Sequence, residues 1–303
     1  MELTERVCAI VNPAAGRGRG RQMLGEIHAA FEEVGVEDIL ITAARGEERE
    51  LASRAIALGF TTIVAVGGDG TTTNVANAIL RAGRDTRLGV VSAGTGNDFA
   101  KTLGTSKSAI REIARLSTQH ADTRVDVGRV EGTYFLNSCG FGFDVAVIEG
   151  VAQSKRLRGR AVYVWAALRE LFRYSGIGLA VGRGKPGLHM MLVIANARYF
   201  GGAFTIAPGA SVADGLLDSI AVSQVPLLRR ISLLSAVARG THLRFPEVKT
   251  ERAALFDVEF LQPPSYEADG ELRHARSARL SIDCVPGALR VLTAPGGATG
   301  SPA

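Results

Sequence analysis

The 303 residues are 46% hydrophobic, enough to bury one large core or two ordinary ones, and two domains is the expectation at this length. The formal net charge of +5 favours anionic partners such as nucleotide phosphates or acidic lipid surfaces, while five scattered Tyr and one Trp form no base-stacking stripe and argue against nucleic acid. Cys8, Cys139 and Cys284 lie too far apart for a CxxC metal site or a disulfide framework, and no apolar run approaches a membrane span, so the expectation is a cytoplasmic, soluble chain with buried free thiols, at most peripheral on a membrane.

Taken in chain order, residues 7–11, 39–42, 62–66 and 88–91 read as strands. They alternate with helical stretches at 21–34, 47–58, 74–81 and 106–116. Strands separated by helices of this length build βαβ units, so residues 1–122 are expected to form a Rossmann-like, parallel α/β nucleotide-binding domain. Beyond residue 123 the rhythm changes. Segments 124–130, 134–138, 189–195, 217–222, 248–255, 258–261, 278–284 and 289–292 read as strands joined by Gly, Pro and Asp turns, with helices only at 144–174 and 227–239. This predicts an antiparallel β-sandwich domain over residues 123–294, followed by a disordered tail at 295–303.

The most informative stretch is TTIVAVGGDGTTTN, where an apolar strand runs into Gly67-Gly68-Asp69-Gly70 and Thr71 opens a helical pattern. A glycine turn feeding a helix N-terminus offers unpaired N–H groups to a phosphate. Asp69 beside a polyphosphate would be repelled unless a divalent cation lay between them, which points to magnesium-nucleotide. The alternative is a helix-capping Asp in an ordinary turn. The strand at 88–91 leads into Gly94-Thr95-Gly96-Asn97-Asp98, a second Gly-Thr turn with an acid, again at the carboxyl end of the sheet where α/β ligands collect. Asn12-Pro13-Ala14-Ala15-Gly16, with Gly16, Gly18 and Gly20 alternating with arginines, reads as a further nucleotide-contacting loop or a solvated basic loop. Asp126 is a third candidate acid or a strand-end turn residue. Asp214-Gly215 and Asp269-Gly270 read as β-turns, with Glu271 an acid just past the second. No His stands in a hydrolytic or metal-ligating pattern. Lys155, Arg156, Arg158 and Arg160 precede the apolar AVYVWAALRELF, which suits either an anionic lipid surface or a core helix with a solvated basic start.

The order NPAAG, GGDGT, GTGNDFA, DVG with YFLNSCGFGFD, PGASVADGLLD and DGE resembles the bacterial diacylglycerol kinase and lipid kinase family, relatives of sphingosine and ceramide kinases. The likeness runs from Asn12 to Glu271. It implies a nucleotide domain, a β-sandwich domain and an active-site cleft between them. On that resemblance Asn12, Thr42, Gly67, Gly68, Asp69, Gly70, Thr71, Thr95, Asn97 and Asp98 would meet ATP. Asp69, Asp98 and Asp126 would organise the catalytic Mg²⁺. Ser211, Asp214 and Leu216 would form a structural magnesium site, largely through backbone carbonyls. Glu271 would be the general base, passing the γ-phosphoryl group to the primary hydroxyl of a lipid. Diacylglycerol presented at a membrane is the first expectation for that lipid, and a homodimer is what the family suggests. Two departures from the family pattern are Thr73-Asn74 in place of Asn-Glu and Ser92 where Pro is common. The rival readings are a phosphatidylglycerol, sphingoid-base or NAD kinase, and a nucleotide-binding regulator without turnover; Asp69 and Glu271 together argue against the regulator.

Overall fold

The computed structural model describes residues 6–105, 110–119, 121–153, 160–182, 184, 186–202 and 204–293. The tail at 295–303 and Lys155, Arg156 and Arg158 lie outside these residues, and the side chain of Arg160 is not described. The described chain divides into two compact units. One holds the residues up to Val127 together with Ser211–Asp214 and the chain from Pro286 onward; the other holds Gly128–Ala210 and Gly215–Val285.

The first unit begins with β1 (Val7–Val11), α1 (Ala15–Gln22), α2 (Leu24–Glu32), β2 (Ile39–Ile41), α3 (Glu48–Ala57), β3 (Thr62–Gly67), α4 (Asp69–Ala82), β4 (Arg87–Ser92), α5 (Asp98–Thr102) and α6 (Ile110–Ser117). The strands are parallel in the order β2-β1-β3-β4. β1 and β3 are continuous apolar runs because both of their faces are covered. Val7, Ala9, Val11, Val64 and Val66 meet α2 and α6 in one core, while the alternate residues Cys8, Ile10, Ile63 and Ala65 are buried on the other face. The expected α/β architecture is therefore present, with helix starts displaced. The α4 helix begins at Asp69 rather than Asn74, so the glycine turn itself is its first turn.

The second unit takes over within β5 (Asp122–Val130) and continues through β6 (Thr133–Phe135), β7 (Ser138–Gly142), α7 (Phe143–Gln153), α8 (Arg160–Arg173), β8 (Ile177–Val181), β9 (Gly187–Ala195), β10 (Tyr199–Phe200), β11 (Phe204–Thr205), β12 (Leu217–Ser223), α9 (Leu227–Ala238), β13 (Val248–Ala253), β14 (Leu255–Phe260), β15 (Ser265–Ala268), β16 (Glu271–His274) and β17 (Arg279–Leu292). Neighbours in the order β16-β15-β7-β9-β8-β14-β17 are all antiparallel. On β9, Leu192 and Ile194 enter one core with Phe141, Phe256 and Phe260. Val193 and Ala195 enter a second core with Leu171 of α8 and Leu233 of α9. The antiparallel sandwich expected from the turn-rich second half is observed. Of the stretch expected as a helix at 144–174, the described residues are helical in α7 and α8. The two strands expected at 278–284 and 289–292 are one, β17, which pairs antiparallel with β14 at Arg279–Asp283 and parallel with β4 at Arg290 and Val291.

That return of β17 completes the first unit. Arg290 pairs with Asp122 at 2.8 Å and with Asp85 at 2.7 Å, and the buried Arg87 donates to Thr62 Oγ1 and to the Ser117 and Gln119 carbonyls. The three cysteines are buried thiols outside any disulfide; burial pushes the Cys8 thiol up to about 12. No helix among the described residues is long and apolar enough to cross a membrane.

Candidate active site

Three loops meet at the carboxyl ends of the parallel strands in the first unit. Their contact is backbone against backbone, which is why they are glycine-rich. A Cβ on Gly94 would collide with the Gly68 Cα, one on Gly16 with the Ala93 carbonyl, and one on Gly20 with the Asn12 carbonyl. Gly16, Arg17 and Gly18 all take positive φ to make the approach. The loops after β1, β3 and β4 therefore interlock, and Asn12, Gly67 to Thr71 and Thr95 to Asp98 sit together.

The α4 N-terminus has Gly68 as its cap, with no side chain satisfying the first turn, and Gly70 is exposed with open space where a Cβ would stand. Unpaired amides at a helix start carry partial positive charge and suit a phosphate. Asp69 does not close this site. Its Oδ1 accepts the Asp98 N–H at 2.6 Å and its Oδ2 the Asn97 N–H at 2.7 Å, so it caps α5. Asn97, at φ +54°, folds back with Oδ1 on the Gly94 N–H and Nδ2 on the Gly94 carbonyl. Burial and the Asp98 charge push the Asp69 carboxyl above the ordinary range, against the pull of the Asp98, Asn97 and Phe99 amides. Asp98 is buried and pairs with Lys101 at 2.9 Å.

Beneath the cradle lies a group that the sequence motifs do not mark. The buried Glu48 on α3 accepts from Asn12 Nδ2 at 2.9 Å and from Thr71 Oγ1 at 3.2 Å, tying the loop after β1 to that after β3. Thr71 also packs its side chain on the face of Gly67, where a Cβ would overlap it. The buried Thr42 directs its hydroxyl to the Val11 carbonyl at the end of β1. Asn74, one of the departures from the family pattern, accepts from Arg49 at 2.9 Å and so links α4 to α3 rather than facing the loop. Ser92, the other, has a buried hydroxyl without a partner.

Asp126 is buried in the same unit. Its N–H donates to the Val212 carbonyl at 2.7 Å and its Oδ1 accepts the Gly287 N–H at 2.8 Å. Ser211 and the exposed Asp214 belong to that segment, and Gly215 makes the turn at φ +72° ahead of Leu216. These groups fit a hard cation in kind, since carboxylates and backbone carbonyls are its ligands. Asp69 and Asp98 repel each other, a cost that a divalent cation would relieve. No group of three or more metal-ligating side chains gathers among the described residues. Magnesium needs none, because it is held by one or two carboxylates, waters and the substrate phosphates.

In the second unit, Asp269 and Gly270 both take positive φ, +49° and +81°, as a two-residue hairpin turn requires. The Asp269 carboxylate accepts the N–H groups of Leu136, Asn137 and Ser138 at 2.8, 2.8 and 3.2 Å, which makes it a fastening for the turn. Glu271 follows at the start of β16. It is about one-third exposed and pairs with Arg273 at 2.9 Å.

The sequence profile of the diacylglycerol kinase catalytic domain matches residues 6–130, and that of the YegS C-terminal NAD kinase beta sandwich-like domain matches residues 137–293. The chain is 32% identical over 285 residues to a Pseudomonas aeruginosa (strain UCBPP-PA14) protein named probable lipid kinase YegS-like, covering 91% of each. It is 30% identical over 297 residues to the diacylglycerol kinase of Mycobacterium tuberculosis (strain H37Rv), covering 95% of this chain and 94% of that one. A crystal structure of a diacylglycerol kinase from Bacillus anthracis str. Sterne shares the fold, with a TM-score of 0.74 at 22% identity over 97% of this chain and 98% of the other. Two matched domains in tandem and relatives spanning nearly the whole chain show that it belongs to the diacylglycerol kinase and YegS-like lipid kinase family.

Proposed function

We propose that this lipid kinase transfers the γ-phosphoryl group of ATP to the primary hydroxyl of diacylglycerol, giving phosphatidic acid. The observation that carries the nucleotide part is the uncapped α4 N-terminus framed by the interlocked glycine loops. In phosphoryl transfer the protein mainly positions the groups and offsets their charge. The amides around Gly68, Gly70 and Thr71 hold phosphate oxygens, Thr95 presents an exposed hydroxyl beside them, and Asn12 and Thr42 shape the floor. Asp69, Asp98 and Asp126 would hold magnesium, partly through water, and Ser211, Asp214 and Leu216 a second, structural ion. When bound, the catalytic ion supplies the positive charge that balances the polyphosphate. Glu271 takes the proton from the attacking lipid hydroxyl.

Diacylglycerol is apolar and resides in membrane. On α8, Trp165, Leu168 and Phe172 are 41, 51 and 64% exposed at helical spacing, with Arg169 stacked over Trp165. We take this face as the lipid contact of a cytoplasmic enzyme working peripherally on the inner leaflet.

The test is transfer of radiolabel from γ-labelled ATP to diacylglycerol, phosphatidylglycerol, a sphingoid base and NAD in parallel, with the lipids in anionic vesicles and in detergent. Label in phosphatidic acid, faster on vesicles, is the expected result. Label in NAD alone would favour the second reading, for which the description of the C-terminal domain as NAD kinase-like is the specific support.

A further inference from the structure

Glu267 and Asp144 are the two most deeply buried carboxyls near the hairpin that carries Glu271, and no role assigned above uses them. Glu267 is fully buried on β15, and strand register sets it opposite Gly140 of β7. Its Oε2 accepts the Gly270 N–H at 2.6 Å, so it holds the turn residue that immediately precedes Glu271. Its Oε1 has no partner. Asp144, 7% exposed in the first turn of α7, meets only its own and the Val145 backbone amides, with no side-chain partner. The two carboxyls are brought against one another by an absence: a Cβ on Gly140 would overlap Asp144 Oδ2 and lie 2.7 Å from Glu267 Oε1. Two ionised carboxylates in a sealed site would be prohibitively repulsive, whereas one shared proton gives the pair a donor and an acceptor.

Resting on the proposed role of Glu271, we infer that Asp144 and Glu267 hold one proton between them and act as positioning residues, locking the Asp269-Gly270 turn so that Glu271 faces the acceptor hydroxyl. Burial, with Asp144 and Asp269 nearby and the Gly270 amide opposing, raises the Glu267 carboxyl well above its usual range, and burial raises Asp144 against the pull of its own and the Val145 amides. The other titratable and charged groups around them do not supply the missing proton. Cys139 on β7 and Tyr174 after α8 are pushed up, Cys139 by burial and then Glu267 and Tyr174 by burial and then Asp144, and both stay neutral. Tyr266 on β15 is also pushed up, to about 12, chiefly by burial. Glu149 and Glu170 add negative charge on the Tyr174 side. Arg273 on β16 faces Cys139, Tyr266 and Glu271.

The pair binds its proton more tightly folded than unfolded, so it stabilises the fold at low pH, and that contribution is lost as pH rises through the folded titration. The experiment is the pH dependence of thermal stability and of kcat for the parent, Asp144→Asn and Glu267→Gln. Each variant makes the pair permanently neutral-plus-acid and keeps an oxygen for the Gly270 amide. The parent should lose both stability and kcat on the alkaline side. In both variants that alkaline limb should shrink or vanish, because the amide removes one of the two titrations and the like-charge repulsion behind it, with kcat near its acidic-side optimum within about threefold of the parent. An unchanged limb in both variants would overturn the inference. So would a failure of both to fold even at acidic pH, where they mimic the parent. If no acceptor is ever phosphorylated, the kinase reading fails by itself, and the stability curves still decide on the shared proton.

Discussion

At Asp69 the structure shows a helix-capping carboxylate, and the proposed magnesium role would fall on that same group. Its oxygens cap α5 by accepting the amides of Asn97 and Asp98, and the same carboxylate sits beside Asp98 in a strained electrostatic setting. Asp69→Asn therefore does two things. On the proposed magnesium role it should weaken engagement of magnesium-nucleotide, and it turns a donor toward one of the two amides, leaving that amide unsatisfied. A cost of about 1–3 kcal/mol in denaturant unfolding is expected alongside the loss of transfer. A variant as stable as the parent would show that the cap contributes nothing. At this scale the sequence was legible where glycines and acids cluster in short runs, as in GGDGT and GTGND. Glu48 was not legible, because its meaning comes from Asn12 and Thr71, distant in sequence, meeting one buried oxygen. Glu267 and Asp144 escaped for the same reason: Asp144 ends one quoted motif and Glu267 lies two residues before another, but only the register of β15 against β7 brings them together.

At the scale of elements, the glycine loops act as a unit because their backbones touch. Gly94→Ala puts a methyl group into the Gly68 Cα and against Asn97 Oδ1, and the nearest obstacle is backbone that has no rotamer to yield. The loops must separate, so we expect a destabilisation of about 1–3 kcal/mol and a weakened thermal shift with ATP. Gly70→Ala meets open space at its Cβ and serves as the control, keeping the parent's stability. The element types followed from periodicity, since parallel strands covered on both faces are continuous apolar runs and sandwich strands alternate. Boundaries were less legible. The α4 start moved back to Asp69 because two glycines and an Asp look like a loop by propensity, and tertiary packing of Thr71 on Gly67 overrides that preference.

For the whole molecule, the division into an α/β unit and an antiparallel sandwich was readable from the change in rhythm after residue 123. The return of Ser211–Asp214 and the end of β17 to the first unit was not, because no local pattern reports a strand that changes partners midway. This organisation gives the account its most direct test, since nucleotide holding is assigned to one unit and proton acceptance to the other. Glu271→Gln keeps the shape of the side chain and removes its ability to take a proton. The measurement is kcat with a short-chain diacylglycerol, taken with ATP-dependent thermal stabilisation of the same variant. The expected result is a kcat lower by about 10²- to 10⁴-fold with ATP stabilisation unchanged. A kcat within a few-fold of the parent, or loss of ATP stabilisation together with activity, would contradict it.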